Sequence, residues 1–273
     1  MSTATTAPLS QTTLAELAEL AGRYPQARSA LLPMLHLVQS VQNCITPEGI
    51  EACARLLGLS AAEVSGVATF YTMYKRRPMG DYHVGVCTNT LCAVMGGDEI
   101  MQRLKDHLDV GNDETTEDGK VTLEHIECNA ACDYAPVVMV NWEFFDNQTP
   151  ESAVRLVDDL RSGVEVTATR GARVCTWREA ERVLAGFPDD RADEGPGAGP
   201  ATLLGLEIAR ERGWSAPSPD GPQSPDAPAD SRSDSAAAVG AAAQADTTRA
   251  ESETRVAEAS EPGTEGTPKE ADT

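Results

Sequence analysis

Four of the seven cysteines in this sequence form two close pairs, and they are the residues best suited to chemistry. Cys87 and Cys92 have the spacing C-x4-C, and Cys128 and Cys132 have the spacing C-x3-C. Thiolates held close together repel one another and are costly to bury, so a metal centre is the group that best neutralises them. The two pairs therefore predict a metal site built from two loops.

The spacing alone leaves more than one interpretation open. A structural zinc site usually has short C-x2-C hooks around one ion, whereas wider loops suit ligands on separate metals. A [2Fe–2S] cluster needs four cysteine thiolates, and C-x4-C also occurs in plant-type ferredoxins. A thioredoxin-type pair needs C-x-x-C and a Rieske centre needs two histidines, and His125 is expected on a strand surface instead. An iron–sulfur cluster is favoured, followed by zinc and then by buried thiols without metal.

Small and polar residues around the two pairs support the iron–sulfur interpretation. A reduced cluster gains negative charge, so backbone N–H groups must come close to its sulfurs, and small side chains permit this. These residues are Thr88, Thr90, Gly96, Gly97, Asn129, Ala130 and Ala131. The other cysteines, Cys44, Cys53 and Cys175, are predicted to lie singly in helical segments and to bind no metal.

Composition excludes several classes of protein. The chain has 273 residues and a net charge of −21, which argues against binding to nucleic acid or to an anionic membrane surface. No segment approaches the roughly 20 apolar residues of a membrane span, and the N-terminus has no basic and apolar regions of a secretory signal. We therefore expect a reducing cytoplasm, where paired cysteines indicate metal or redox work rather than disulfides.

Residues 12–80 are predicted to form a helical bundle. Leucines at helical spacing mark a first helix, and a second follows at residues 31–41. Thr46 followed by Pro47 predicts the start of a third, and a capping box, SAAE, at residues 60–63 predicts the start of a fourth. The buried stripe of the fourth helix is expected to consist of Val64, Val67, Phe70, Tyr71 and Tyr74. Its aromatic residues are interpreted as core, with a face against the cysteine domain or a partner protein as the alternative.

Residues 81–165 change to the periodicity of strands. The segment DYHVGV alternates and runs into Cys87, and VTLEHIE runs into Cys128. A helix lies between these strands, and a short hairpin and a second helix follow them. The order predicts a compact α/β unit with one crossover and one hairpin. Because strand ends gather at one edge of a small sheet, the two cysteine pairs are expected to converge there.

The rest of the chain divides into an extension, residues 166–215, and a tail, residues 216–273. Two short helices are predicted in the extension, joined by a glycine-rich linker that fits no phosphate-binding pattern. The tail has no aromatic residue and contains 12 acidic and 4 basic residues. It cannot bury enough apolar surface to offset its ordering entropy, so we predict disorder, with an acidic interaction tail as the alternative.

Three segments of the sequence resemble a known family. VATFYTMY, GVCTNTLC and ECNAACDYAPVVMVN, in this order and at this spacing, are similar to the 24-kDa subunit of respiratory complex I, which is the E subunit of NADH–quinone oxidoreductase in bacteria. The resemblance covers residues 12–165. It implies an α+β fold with an N-terminal helical bundle followed by a thioredoxin-like [2Fe–2S] ferredoxin domain. It also implies a cluster with Cys87 and Cys92 on one iron and with Cys128 and Cys132 on the other.

The resemblance further implies partners and a location. The partners are the flavin (FMN) subunit that binds NADH and other subunits of the peripheral arm, placed on the cytoplasmic side of the cell membrane. Many relatives have Leu-Gly where this chain has Asn129-Ala130. This departure is expected to shift the cluster's potential without preventing ligation.

Two functional hypotheses from different classes follow. The first is an electron-transfer subunit of NADH–quinone oxidoreductase, or the equivalent subunit of an NAD-linked formate dehydrogenase or hydrogenase. The second is a non-redox interaction subunit that zinc stabilises, which visible absorption separates from the first because zinc is colourless. The sequence has neither a dinucleotide fingerprint nor a flavin site, so we expect no oxidation of NADH by the chain alone.

Overall fold

A computed structural model of the chain describes residues 8–191, 194, 195 and 197–215. One compact unit ends at Ile208, and it contains the helical bundle, the sheet and both cysteine pairs. The tail that we predict to be disordered, residues 216–273, lies outside the described residues. None of the described helices combines the length and the apolar character that a membrane span requires.

In the described residues, four α-helices precede the first strand, as the sequence predicts. They are α1 (Gln11–Gly22), α2 (Leu31–Gln42), α3 (Pro47–Leu57) and α4 (Ala61–Phe70). The side chains of Ser10, Thr46 and Ser60 each accept a hydrogen bond from a backbone N–H three residues later. Glu63 completes the predicted capping box at Ser60. Apolar side chains from all four helices share one buried core.

Two aromatic residues that were predicted in the core of the fourth helix are exposed instead. Helix α4 ends at Phe70, and Tyr71 has an extended backbone (φ −97°, ψ 126°), so the helical periodicity stops there. Phe70 is 77% exposed, and Tyr71 is also exposed. Val64 and Tyr74 are buried as predicted, and the Tyr74 hydroxyl donates to the carbonyl oxygen of Leu32 at 2.9 Å. The core interpretation is therefore wrong for Phe70 and Tyr71.

The second part of the chain forms a five-stranded sheet. Its strands are β1 (Tyr82–Cys87), β2 (Glu114–Thr115), β3 (Val121–Ile126), β4 (Val138–Val140) and β5 (Glu143–Phe145). The strand order is β2-β3-β1-β4-β5, with β1 and β3 parallel and the other neighbours antiparallel. The predicted crossover and hairpin are confirmed, whereas the short strand β2 was not predicted.

Five further helices follow β1 in the described part of the chain. They are α5 (Thr90–Val94), α6 (Gly97–Leu108), α7 (Pro150–Ser162), α8 (Trp177–Leu184) and α9 (Pro200–Glu211). Helix α5 was not predicted, and it places Cys92 in a short helix rather than in a turn. The helices predicted in residues 166–215 are confirmed as α8 and α9. The boundaries predicted near residues 80 and 165 remain a proposal.

Helices pack on both faces of the sheet. On one face, Val84 of β1 shares a core with Leu104 of α6 and Val157 of α7. Alternate residues of a strand point to opposite faces, so His83 of β1 lies on the other side. There its ring meets the indole of Trp177 in α8, with the ring centroids 5.5 Å apart. The sheet is thus held between α6 and α7 on one face and α8 on the other.

Glu181 of α8 joins the helical bundle to the sheet. Its side chain is 0% exposed, and its Oε2 lies 2.6 Å from Nδ1 of His36 in α2. Gln39 Nε2 donates to the same oxygen at 2.8 Å, and Trp142 Nε1 donates to Oε1 at 3.3 Å. Three groups from two different parts of the chain therefore depend on one buried carboxylate.

A second carboxylate, that of Glu124, is partly buried and fixes β3 against the bundle. It accepts a hydrogen bond from Lys75, which follows α4, and its Oε2 lies 2.7 Å from Nε2 of His83. Burial acts to raise the pKa of Glu124, but the hydrogen bonds from His83 and Lys75 and their charges outweigh it and hold the pKa at about 2. This anchor lies in the strand that leads to Cys128.

We expect Glu181→Ala to lower the free energy of unfolding by about 3 kcal/mol, because it leaves buried donors on His36, Gln39 and Trp142 without an acceptor. The matched control is Glu51→Ala, which removes an exposed carboxylate whose ion pair with Arg55 spans 3.8 Å. That change is expected to cost less than about 0.5 kcal/mol. Chemical denaturation of both variants measures the difference, and equal losses would contradict the role given to Glu181.

Candidate metal centre

The parallel pairing of β1 and β3 brings the two cysteine loops to one edge of the sheet. Cys87 is the last residue of β1, and it is in register with Ile126, the last residue of β3. Cys92 lies in α5, just beyond the end of β1, and Cys128 comes two residues after the end of β3. Because the carboxyl ends of parallel strands meet at the same edge, the predicted convergence of the two loops is confirmed.

Cys128 and Cys132 form an exposed pair of free thiols. Their Sγ atoms lie 3.9 Å apart. Two thiolates bound to one tetrahedral metal with metal–sulfur bonds of about 2.3 Å are separated by about 3.8 Å. The spacing of this pair therefore already fits two ligands on a single metal.

Cys87 and Cys92 form a buried pair, only 2% and 3% exposed. Burial raises the pKa of the Cys92 thiol to about 11, and the neighbouring thiols of Cys87 and Cys132 add to the rise. The pKa of Cys132 is also raised, first by its contact with Cys128 and then, among weaker causes, by Cys87. Cys132 contributes to the shift at Cys92, and Cys87 to the shift at Cys132, so the two pairs lie close enough to interact electrostatically.

The four thiols approach as two pairs and not as a single set. Within the part of the chain that the structure describes, no group of three or more Cys, His, Asp or Glu side chains is placed to hold one metal ion. A structural zinc ion takes all four of its ligands around one centre, whereas a [2Fe–2S] cluster has two irons that share four cysteines.

Hydrogen-bond donors point at three of the four sulfurs. The backbone N–H of Ala130 lies 3.4 Å from Cys128 Sγ, and Asn89 Nδ2 lies 3.7 Å from Cys87 Sγ. A backbone hydrogen bond from Val137 lowers the pKa of Cys92 against the effect of its burial. Donors of this kind stabilise thiolate sulfur, as the loop composition predicts. Sequence reasoning missed Asn89, although its place inside C-x4-C is the signal that finds it.

The backbone of the first cysteine loop passes so close to residue 97 that only glycine fits there. A Cβ atom added to Gly97 would lie 2.5 Å from the carbonyl oxygen of Cys87 and 2.9 Å from that of Cys92. No larger side chain fits at this position without moving the backbone that carries both cysteines. Gly97 therefore holds the first loop tightly against the start of α6.

The remaining cysteines lie outside this site. Cys53 is buried in α3, and burial raises its pKa to about 12. Cys44 and Cys175 lie in loops and not in helices, because the left-handed backbone of Asn43 ends α2 and α8 starts only after Thr176. Their predicted helical location is wrong, and that they bind no metal stays a prediction.

The departure at Asn129-Ala130 has two structural consequences. Ala130 has φ +55°, in the left-handed region where a Cβ is unfavourable and glycine is not. The amide Nδ2 of Asn129 has no hydrogen-bond partner in the structure, and its side chain lines a cavity of about 160 Å³ together with Lys75 and Glu124. Among the described residues, Nδ2 of Asn129 therefore donates to no cysteine sulfur, and the shift in potential expected from this departure has no hydrogen bond from Asn129 to cause it.

Comparison with known proteins identifies the family. The sequence profile of the thioredoxin-like [2Fe–2S] ferredoxins matches residues 17–161. The chain belongs to this family. Its cofactor is a [2Fe–2S] cluster, and the α+β fold and the family expected from the three sequence segments are confirmed.

Individual proteins that are similar to this chain match different shares of it. The E subunit of NADH-quinone oxidoreductase from Mycobacterium tuberculosis is 66% identical over 200 residues, which cover 73% of this chain and 79% of that protein. NADH-quinone oxidoreductase subunit 2 of Thermus thermophilus is 38% identical over 150 residues, which cover 54% and 83%. The solved structure of a thioredoxin-like [2Fe–2S] ferredoxin from Aquifex aeolicus is 22% identical, with a TM-score of 0.27, and the match covers 32% of this chain and 86% of that one.

We expect Ala130→Gly to raise the free energy of unfolding by about 0.5–1 kcal/mol, because relief of the left-handed strain exceeds the entropy cost of glycine. Ala131→Gly is the matched control, since Ala131 is buried and has φ −102°. That change should lower stability by about 0.5–1 kcal/mol. Denaturation of the anaerobically purified chain measures both, and a loss of stability in Ala130→Gly would contradict the strain.

Proposed function

We propose that this chain is the iron–sulfur electron-transfer subunit of an NADH–quinone oxidoreductase. The observation that carries the proposal is the meeting of two cysteine pairs, from two loops, at one edge of the sheet. The relative at 66% identity, which is named as the E subunit of NADH-quinone oxidoreductase, supports this choice of host complex. Because this relative is named as a subunit of NADH-quinone oxidoreductase, we favour that complex over the formate dehydrogenase and hydrogenase alternatives.

Each cysteine pair is proposed to hold one iron of the cluster. Cys87 and Cys92 would bind the inner iron, and Cys128 and Cys132 the outer one. The 3.9 Å separation of the second pair supports this division, as does the contribution of Cys87 to the raised pKa of Cys92. When bound, the cluster takes up and releases one electron at a time.

The chain's own residues have distinct tasks in this scheme. Burial of Cys87 and Cys92 keeps water away from one side of the site, and donors from Asn89 and Val137 stabilise their sulfurs. Cys128 and Cys132 are exposed, so this side is open to another protein. The arrangement suits a carrier that holds charge in a protected site and exchanges electrons through one face.

The partner is proposed to be a flavin subunit that binds NADH. NADH gives up a hydride, which carries two electrons, so a flavin must stand between it and a one-electron carrier. The sequence has no dinucleotide fingerprint, and the flavin must therefore come from another protein of the complex. Exposed apolar residues beside Cys92, namely Leu91, Val94 and Met95, support a protein contact next to the cluster. Such an assembly would place the chain in the peripheral arm, on the cytoplasmic face of the membrane.

We expect the purified, cluster-loaded chain to be reduced by dithionite but not by NADH, because it has no flavin. Adding the flavin subunit should allow electron exchange in both directions: from NADH to the cluster, and from the prereduced cluster to NAD⁺. The second direction matters because clusters of the plant type have potentials near −400 mV, so reduction by NADH can be incomplete. Visible absorption follows both reactions.

Two results would contradict the proposed function. One is stoichiometric flavin on the purified chain, with NADH oxidation that follows the flavin content. The other is the absence of exchange in both directions when the flavin subunit is present and dithionite shows that the cluster is intact.

A further inference from the structure

Asn89 occupies a position that normally has a local structural role. It is the N-cap residue of α5, where an asparagine side chain usually accepts a hydrogen bond from the first turn of the helix. Here the side chain makes no capping hydrogen bond. The donor and acceptor atoms of this side chain are therefore available to other partners.

The amide of Asn89 instead connects the two cysteine loops. Its Nδ2 donates to Sγ of Cys87 over 3.7 Å and to the backbone carbonyl oxygen of Ile126 over 2.9 Å. Cys87 ends β1, and Ile126 ends β3, two residues before Cys128. An amide nitrogen carries two hydrogens, so it can serve both acceptors at once. One side chain thus spans the gap between the strand ends that carry the two cysteine pairs.

We propose that Asn89 is a positioning residue that orients the Cys87 thiolate and raises the reduction potential of the cluster. The inference rests on the proposed function, in which Cys87 is a ligand. A donor at a ligand sulfur stabilises the more negative, reduced state more than the oxidised one, and so favours electron uptake. The bond to Ile126 holds the donor in place, because it fixes the amide between the two strand ends.

Asn129 provides an internal comparison. Like Asn89, it is an asparagine close to a ligand, one residue after Cys128. Its Nδ2 has no partner and its side chain faces the cavity shared with Lys75 and Glu124, so no N–H of this side chain reaches a sulfur. The two asparagines therefore separate the effect of a polar side chain near the cluster from the effect of an N–H···S bond.

The test is an EPR-monitored redox titration of the cluster-loaded full chain. Asn89→Ala is expected to give a lower midpoint potential than the wild type, and Asn129→Ala is expected to leave it unchanged. An unchanged or higher potential in Asn89→Ala would overturn the inference, as would equal shifts in the two variants.

A second pair of variants keeps the test decisive if Asn89→Ala loads no cluster. Asn89→Asp keeps the size of the side chain and remains a good N-cap residue, but it cannot donate. Asn129→Asp adds the same charge beside the other cysteine pair without removing an N–H···S bond. The drop in potential is expected to be larger for Asn89→Asp, and equal drops would show that charge alone is responsible.

These outcomes are distinct from a failure of the proposed function. If the wild-type chain holds no iron, the proposed function fails before any variant is compared. If the wild type has a [2Fe–2S] signal and the two Asn89 variants behave like their Asn129 controls, only the role of Asn89 is lost.

Discussion

The structure depends on the cost of bringing four thiols together at one edge of a sheet. Burial and neighbouring thiols raise the pKa of Cys92 to about 11, and contact with Cys128 raises that of Cys132. Without metal these groups hold their protons, and metal binding must displace them. Cluster binding is therefore coupled to proton release. The fold must hold the thiols so close together that the free energy of metal–sulfur binding exceeds the free-energy cost of deprotonating them.

The two cysteine pairs are positioned by the parallel strands β1 and β3, which contacts with the helices hold in place. Glu124 anchors β3 to Lys75 and His83, and Glu181 joins α2 to the extension beyond the sheet. Because the pKa of Glu124 is held at about 2, its stabilising effect is complete above its unfolded pKa of about 4.3 and is lost as the pH falls towards 2. Glu124 lies in β3 itself, so its contacts fix the strand that leads to the second cysteine pair.

The sequence predicted the parts of this structure that depend on local chemistry. Cysteine spacing, strand periodicity and capping residues act over a few positions, and they located both pairs, the crossover and the hairpin. The burial of Phe70 was predicted wrongly because hydrophobic periodicity does not show where α4 ends. The bonds of Glu181 to His36 and of Asn89 to Ile126 join residues far apart in the chain, and no local pattern indicates such pairs. Asn89 is the N-cap residue of α5, a helix that the sequence did not predict, and its side chain makes no capping hydrogen bond.

The central claim is that Cys87, Cys92, Cys128 and Cys132 together hold one [2Fe–2S] cluster, and single Cys→Ser variants of the full chain test it most directly. Iron and sulfide analysis with EPR is carried out on anaerobically purified protein. We predict two irons in the wild type, a lost or strongly altered signal in each of these four variants, and an unchanged signal in the controls Cys44→Ser, Cys53→Ser and Cys175→Ser. Zinc without iron in the wild type would contradict the account, as would a normal cluster in any of the four ligand variants.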